Sequence, residues 1–167
     1  MFENKILSFT SFIWFHFNLY LKIYVFQLFK NHNKVNFVVV EIKLLKREEI
    51  DDKVWNGCVH FAVNAMPYAY TWYLDNVTEE WEGLVMGNYK AVMPLVFEKK
   101  FGVEYLYQPF FTQQLGVFTS LPLTKNLVNN FIAAIPKKYK YIDINLNEIN
   151  DISESEEISK RSNYFLD

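Results

Sequence analysis

The sequence predicts an α/β (α+β) domain, a mixed but mostly antiparallel sheet flanked by helices. Three observations carry this. A β-branched run opens the regular part of the chain at Val38–Leu45. Apolar runs separated by short turn signals fill its middle, and short turns join antiparallel neighbours. Two stretches with helical spacing flank those runs, before and after.

Taken in order, Val38–Leu45 reads as a strand. The run Leu45–Ala65 has helical character: Ile50, Val54 and Cys58 recur at i, i+4, i+8, and Trp55 and Phe61 widen the stripe. Its acidic residues Glu48, Glu49, Asp51 and Asp52 fall in the first turns, where the helix dipole favours them. Met66-Pro67 interrupts the pattern, and the segment from Ala69 to Trp81 leaves room for one more short helical turn. Glu82–Phe97 has the form of a hairpin with its turn at Gly87-Asn88. A second turn at Lys99–Gly102 leads into an extended Val103–Phe111, and Gln113–Ser120 continues extended. Thr124 is placed to cap a helix whose apolar face is Leu127, Val128, Phe131, Ile132 and Ile135. Pro136 and the basic residues of 137–140 close that helix, and the alternation in Tyr141–Ile149 predicts a last strand.

Composition bounds the function. The 167 residues hold 17 basic and 19 acidic side chains, so no general basic excess points to nucleic acid. One cysteine, Cys58, excludes an internal disulfide and a multi-thiolate zinc site, and no metal-ligand spacing is recognisable. Five glycines leave little material for a phosphate-cradling loop. Aromatic residues make up 19% of the chain and are dense before residue 41; the chain is also rich in Asn, Lys, Ile, Phe and Tyr, whose codons are A/T-rich, so a nucleotide bias can explain part of the aromatic count.

Residues 1–40 form a segment apart. Ile6–Phe29 is long enough and apolar enough to cross a bilayer, although Lys22 stands well inside it at a cost of about 2.5–3.5 kcal/mol. Three readings stay open: an extension ahead of the true start, a membrane or surface helix, and a core helix of the domain. Glu3 and the lack of a small-x-small site argue against a cleaved signal peptide. Localisation follows the choice, cytoplasmic or membrane-associated.

The element order, with one block of sequence, resembles the GNAT-like acyltransferase superfamily and within it the FemAB-like branch. The block runs Tyr68–Asp75, Trp81 and Tyr89–Leu95, then Lys100, Gly102, Tyr105–Pro109 and Gln113–Phe118, and it closes at Arg161–Asp167. The resemblance implies a division into the 1–40 extension, a first GNAT-like half at 41–152, and at 153–167 a polar linker with the start of a second half. It implies transfer of an acyl or aminoacyl group to an amine, with acyl-CoA or an aminoacyl donor as cosubstrate. It also implies that this half, incomplete on its own, is inactive without a second half, supplied in trans or replaced by self-association through the uncovered face. The alternative is a non-enzymatic membrane-associated or protein-binding module.

Within that frame, Gln113–Phe118 is the nearest match to a Q-x-x-G-x-G/A donor loop, but Phe118 stands where a small residue must admit phosphate. A strand with a bulge at Gly116 is the plainer reading, so no residue is assigned to a cofactor. The candidate substrate contacts are Trp72, Tyr73 and Asp75, with Asp75 orienting an amine, and Gln108, Gln113 and Gln114 offering amides. The plainer alternative packs Tyr70, Trp72 and Tyr73 under the sheet and makes Asp75 a turn cap. His60 and Cys58 lack the neighbours that a general base or a nucleophile needs.

Overall fold

A computed structural model of the chain describes residues 41–152. The segments 1–40 and 153–167, with the readings placed on them, lie outside the described residues. The described part is an α+β unit built on a six-stranded, mostly antiparallel sheet. Its elements are β1 (Ile42–Lys46), α1 (Asp52–His60), α2 (Thr71–Val77), β2 (Trp81–Met86), β3 (Ala91–Lys100), β4 (Val103–Leu106), β5 (Phe118–Thr119), α3 (Lys125–Ala133) and β6 (Tyr139–Ile142). The sheet order is β1-β2-β3-β4-β6, and β5 also pairs with β3. All pairs are antiparallel except β4 with β6.

β2 and the first six residues of β3 are buried throughout, which is why they read as continuous apolar runs rather than as alternation. Alternation survives in where they point. Trp81, Val85, Val92 and Val96 join Trp55, Val59 and Leu74 of α1 and α2 in one apolar cluster. Leu84, Met86, Met93 and Leu95 join Val128 and Phe131 of α3 in a second. The sheet therefore separates two cores, with α1 and α2 on one face and α3 on the other.

The first core is organised around Trp55. Its ring is fully buried, meets Trp81 edge-on at 5.3 Å, and its Nε1 donates to Ala69 O at 2.7 Å. The ring fits because β2 carries Gly83 beneath it: a Cβ built there lies 2.5 Å from Trp55 Cζ3. This corrects the helical stripe expected from spacing. Asp51 accepts from Lys53 N and Val54 N and starts the helix one residue after Ile50, so the inward positions are Trp55 and Val59. Val54 is exposed, Cys58 half-buried and Phe61 exposed. Glu48 and Glu49 fall in a separate 3-10 turn, Arg47–Glu49.

The second turn of the middle region is tighter than its spacing suggests. Lys100 pairs with Val103, leaving Phe101 and Gly102 as a two-residue turn with φ 53° and 80°. Both positive angles match a type I′ turn, which Asn-Gly fills most easily. Phenylalanine at the first position costs about 1 kcal/mol in backbone strain.

β3 changes partner halfway along the edge that faces away from β2. Ala91 and Val92 pair with β5, and Phe97–Lys100 pair with β4. Phe97 N donates to Glu80 O and Tyr107 N to Val96 O, so the intervening Pro94 turns its nitrogen toward this edge. Proline has no N–H to offer there, and the ladder ends. Continuing the β5 register would bring Gly116 opposite Pro94, but Gly116 takes φ 116° and the chain turns away. Leu115 then bridges in parallel to Leu146. The extended Gln113–Ser120 is thus a two-residue strand preceded by a break.

Other boundaries move for similar reasons. β4 stops at Leu106, ahead of Pro109, and β6 begins at Tyr139, inside the basic stretch expected to close α3. The Thr124 cap is as the spacing predicts, with Oγ1 accepting from Leu127 N at 3.2 Å.

Replacing Gly83 with alanine will force the Trp55 ring from its seat and lower stability by about 1–3 kcal/mol in urea denaturation. The same change at Gly57, which has open space around it, will cost nothing comparable.

Candidate functional site

Of the six site residues proposed from sequence, Trp72, Tyr73 and Asp75 lie on α2, and Gln108, Gln113 and Gln114 lie in the segment after β4. The start of α2 is held by α1: Thr71 N donates to Asn56 Oδ1 and Asn56 Nδ2 donates to Thr71 Oγ1, both at 2.9 Å. That exchange satisfies an amide that a Tyr70 side chain cannot cap. Thr71 and Leu74 then face inward, while Trp72 and Asp75 face out.

Asp75 is fully engaged. Arg47 Nε and Nη2 each donate to it at 2.6 Å, and Trp81 Nε1 donates at 2.8 Å. Arg47 also pairs with Asp52 at 2.7 Å and lies over the Trp81 ring at 5.3 Å. The Asp75 carboxyl is held below its ordinary range by the Arg47 hydrogen bond; burial opposes this, and the Trp81 hydrogen bond adds to it. The Arg47 guanidinium is pushed up in turn, first by its hydrogen bond to Asp75. Asp75 thus ties α2 to the turn after β1 and to β2. Its oxygens serve these contacts and not a turn cap.

Trp72 borders a hollow. Together with Ala65, Met66, Pro67 and Tyr70 it lines an open depression of ≈ 360 Å³. The Tyr70 and Trp72 rings are 5.9 Å apart and inclined at 38°. Trp72 is 56% exposed, so the ring is offered to solvent instead of packing under the sheet. Tyr70 OH lies 3.3 Å from His60 Nδ1, and Phe61 meets the His60 ring edge-on at 4.9 Å. A connected aromatic surface results. It offers stacking planes, one phenol and one imidazole, and suits a flat or partly apolar group.

Tyr73 and Gln108 hold the loop beyond β4 instead. Tyr73 OH donates to Phe111 O at 3.0 Å and lies 3.2 Å from Thr112 Oγ1. Gln108 donates to Thr112 O at 2.9 Å and accepts from Asn145 N at 3.0 Å. Gln113 is exposed and Gln114 buried, with Gln114 Oε1 unpaired among the described residues. Neither borders the depression.

The Gln113–Phe118 segment is shaped by asparagines. Val117 N donates to Asn150 Oδ1 at 2.6 Å, and Val117 O accepts from Asn64 at 2.9 Å and Asn150 at 3.2 Å. A Cβ at Gly116 would lie 2.6 Å from Asn150 Oδ1. The next helix starts only at Lys125, so a phosphate at Gly116 would meet an asparagine amide and no helix N-terminus. Cys58 Sγ donates to Phe118 O at 3.6 Å, and burial pushes its thiol up to about 11. No group of three or more potential metal ligands exists among the described residues. Among these residues, too, no helix is long and apolar enough to cross a membrane.

Sequence reasoning missed Met66 and Tyr70 as lining of the depression, and Arg47 as the partner of Asp75. Arg47 lies 28 residues from Asp75, so no local pattern joins them. The Met66-Pro67 break was visible, yet not that it would form the floor of the hollow. Comparison of the chain with protein-family models, with curated proteins and with solved structures returned no match.

Two outcomes follow. Asp75→Asn will destabilise the fold at pH 7 by about 1 kcal/mol, the modest scale of a half-exposed pair. Because the folded-state value is depressed, the stabilisation is fully present above the ordinary Asp value of about 4 and disappears as pH falls through the folded value. Wild type and variant will therefore converge in acid, as measured by urea midpoints against pH. Separately, Cys58 will react slowly with a disulfide reagent at pH 8 in the native protein and rapidly in urea.

Proposed function

We propose that residues 41–152 are a GNAT-like unit of FemAB type, the acceptor-side half of an enzyme that transfers an acyl or aminoacyl group to an amine. The observation that carries this reading is the order strand, two helices, four strands, helix, strand in one sheet with helices on both faces. It matches the element order on which the sequence resemblance rests. The Trp72 depression is the acceptor surface in this reading, with Tyr70 and Trp72 stacking on the part of the substrate beside its amine. The donor is held elsewhere, since Asn150 occupies the space beside Gly116. The unit therefore does not turn over by itself.

A second reading, a non-enzymatic binding module, draws on the exposure of Phe61, Phe110 and Phe111, at 74%, 86% and 92%. One experiment separates the two. The chain is incubated with acetyl-CoA or an aminoacyl-tRNA and a lysine-bearing peptide, and the binding of that peptide is followed by tryptophan fluorescence. The proposal expects peptide binding, weakened about tenfold in Trp72→Ala, and no product from this chain alone. Product would refute the inactive half. Absence of peptide binding would refute the acceptor surface and leave the second reading.

A further inference from the structure

A separate feature stands at the β3–β4 turn. β3 outruns β2: its pairing with β2 ends at Val96, and Phe97–Lys100 continue beside β4 alone. Four extra residues carry the turn about 13 Å beyond the end of the β2 ladder. At its tip Phe101 is 96% exposed. Among the described residues, its one recorded ring interaction is with the Lys100 ammonium, 6.0 Å from its centroid. Phe101 also holds φ 53°, where asparagine or glycine would sit without strain. A large apolar side chain that packs on nothing, in a backbone conformation that disfavours it, has no role in folding.

Its surroundings are basic. Lys99 and Lys100 precede it in the hairpin. Because β6 runs parallel to β4, with Tyr139 opposite Glu104, Lys137 and Lys140 come to the same end of the sheet. These four lysines are exposed, and none forms an ion pair among the described residues. Three carboxylates lie nearby: Glu82 accepts from Lys138 and Tyr139, Glu104 lies 3.8 Å from Lys138, and Glu98 keeps its charge while accepting from Tyr105 OH at 2.6 Å, so the basic groups outnumber the acidic ones at this end. Among the described residues, the end of the sheet thus presents four lysines without ion pairs around one projecting apolar ring.

We infer that this end docks on an anionic lipid bilayer, with Phe101 entering the boundary between headgroups and acyl chains and the four lysines lying against the headgroups. A single ring reaching out from a ring of cations fits a surface that is soft and negatively charged, with apolar material a few ångströms below it. The surface is built from residues between 99 and 140.

The test uses the full chain, so that Ile6–Phe29 is the same in every sample. Partition onto phosphatidylcholine vesicles with and without 30% phosphatidylserine is measured by co-sedimentation for wild type, Phe101→Asn, and Lys99→Gln with Lys100→Gln. Asparagine suits the turn, so Phe101→Asn folds at least as well as wild type. On the serine-containing vesicles, Phe101→Asn will bind about tenfold more weakly, and the lysine variant about fivefold more weakly per lysine. In a Phe101→Trp variant, the added fluorescence will be quenched by lipids brominated in their acyl chains, with phosphatidylserine present and at low salt. Unchanged partition of Phe101→Asn overturns the inference, as does an unquenched tip tryptophan. Equal quenching in neutral vesicles or at high salt removes its anionic half. Equal binding of wild type and Phe101→Asn to a soluble polyanion, with no vesicle binding, assigns the lysines to a different partner.

Discussion

The fit of one indole over one glycine sets the first half of this structure. Trp55 stands on Gly83 with no room for a methyl group between them, and that close approach brings α1 down onto β2. From there its Nε1 reaches Ala69 O and its edge reaches Trp81. The segment between α1 and α2 is thereby pinned, and the Asn56–Thr71 exchange sets where α2 begins. The Arg47–Asp75–Trp81 contacts then lock the outer side of α2. Trp72 points to solvent because its neighbours at Thr71 and Leu74 are already committed to the core. The aromatic hollow is a late consequence of packing far beneath it.

The second half depends on a missing hydrogen-bond donor. Pro94 ends one ladder along β3, and Gly116 lets the opposing chain leave at that point. The result is a central strand with three partners, β2, β4 and β5, instead of two. The path of residues 107–117, and with it the placement of Gln108, Gln113 and Gln114, follows from this divergence.

Much of the fold is legible in the residues themselves. The buried hairpin of β2 and β3, the Thr124 cap and the apolar face of α3 are each written locally, in runs, caps and spacing. The phase of α1 was not, because Ile50, Val54 and Cys58 satisfy the same spacing as Trp55 and Val59. Only the Asp51 cap and the space above Gly83 decide between them. The site was less legible still. Trp72 could be picked out as an aromatic near a helix start, but the fate of Asp75 rests on Arg47, which no neighbouring residue announces. The glutamines carry amides suited to a polar ligand, but whether an amide faces a ligand or buttresses a loop is set by contacts across the fold, as Gln108 with Asn145 shows.

The asparagines around Val117 have a consequence beyond shaping that segment. An extended chain on the rim of a sheet carries amides and carbonyls that invite a strand from another molecule to add on. At Val117 those groups are taken by Asn64 and Asn150, and at Thr119 the carbonyl is taken by Val63 N. Side-chain amides and a loop nitrogen complete the pairing without forming a strand, so the rim offers no template to copy. A sequence this rich in β-branched and aromatic residues is thus kept, at this place, from propagating its own sheet.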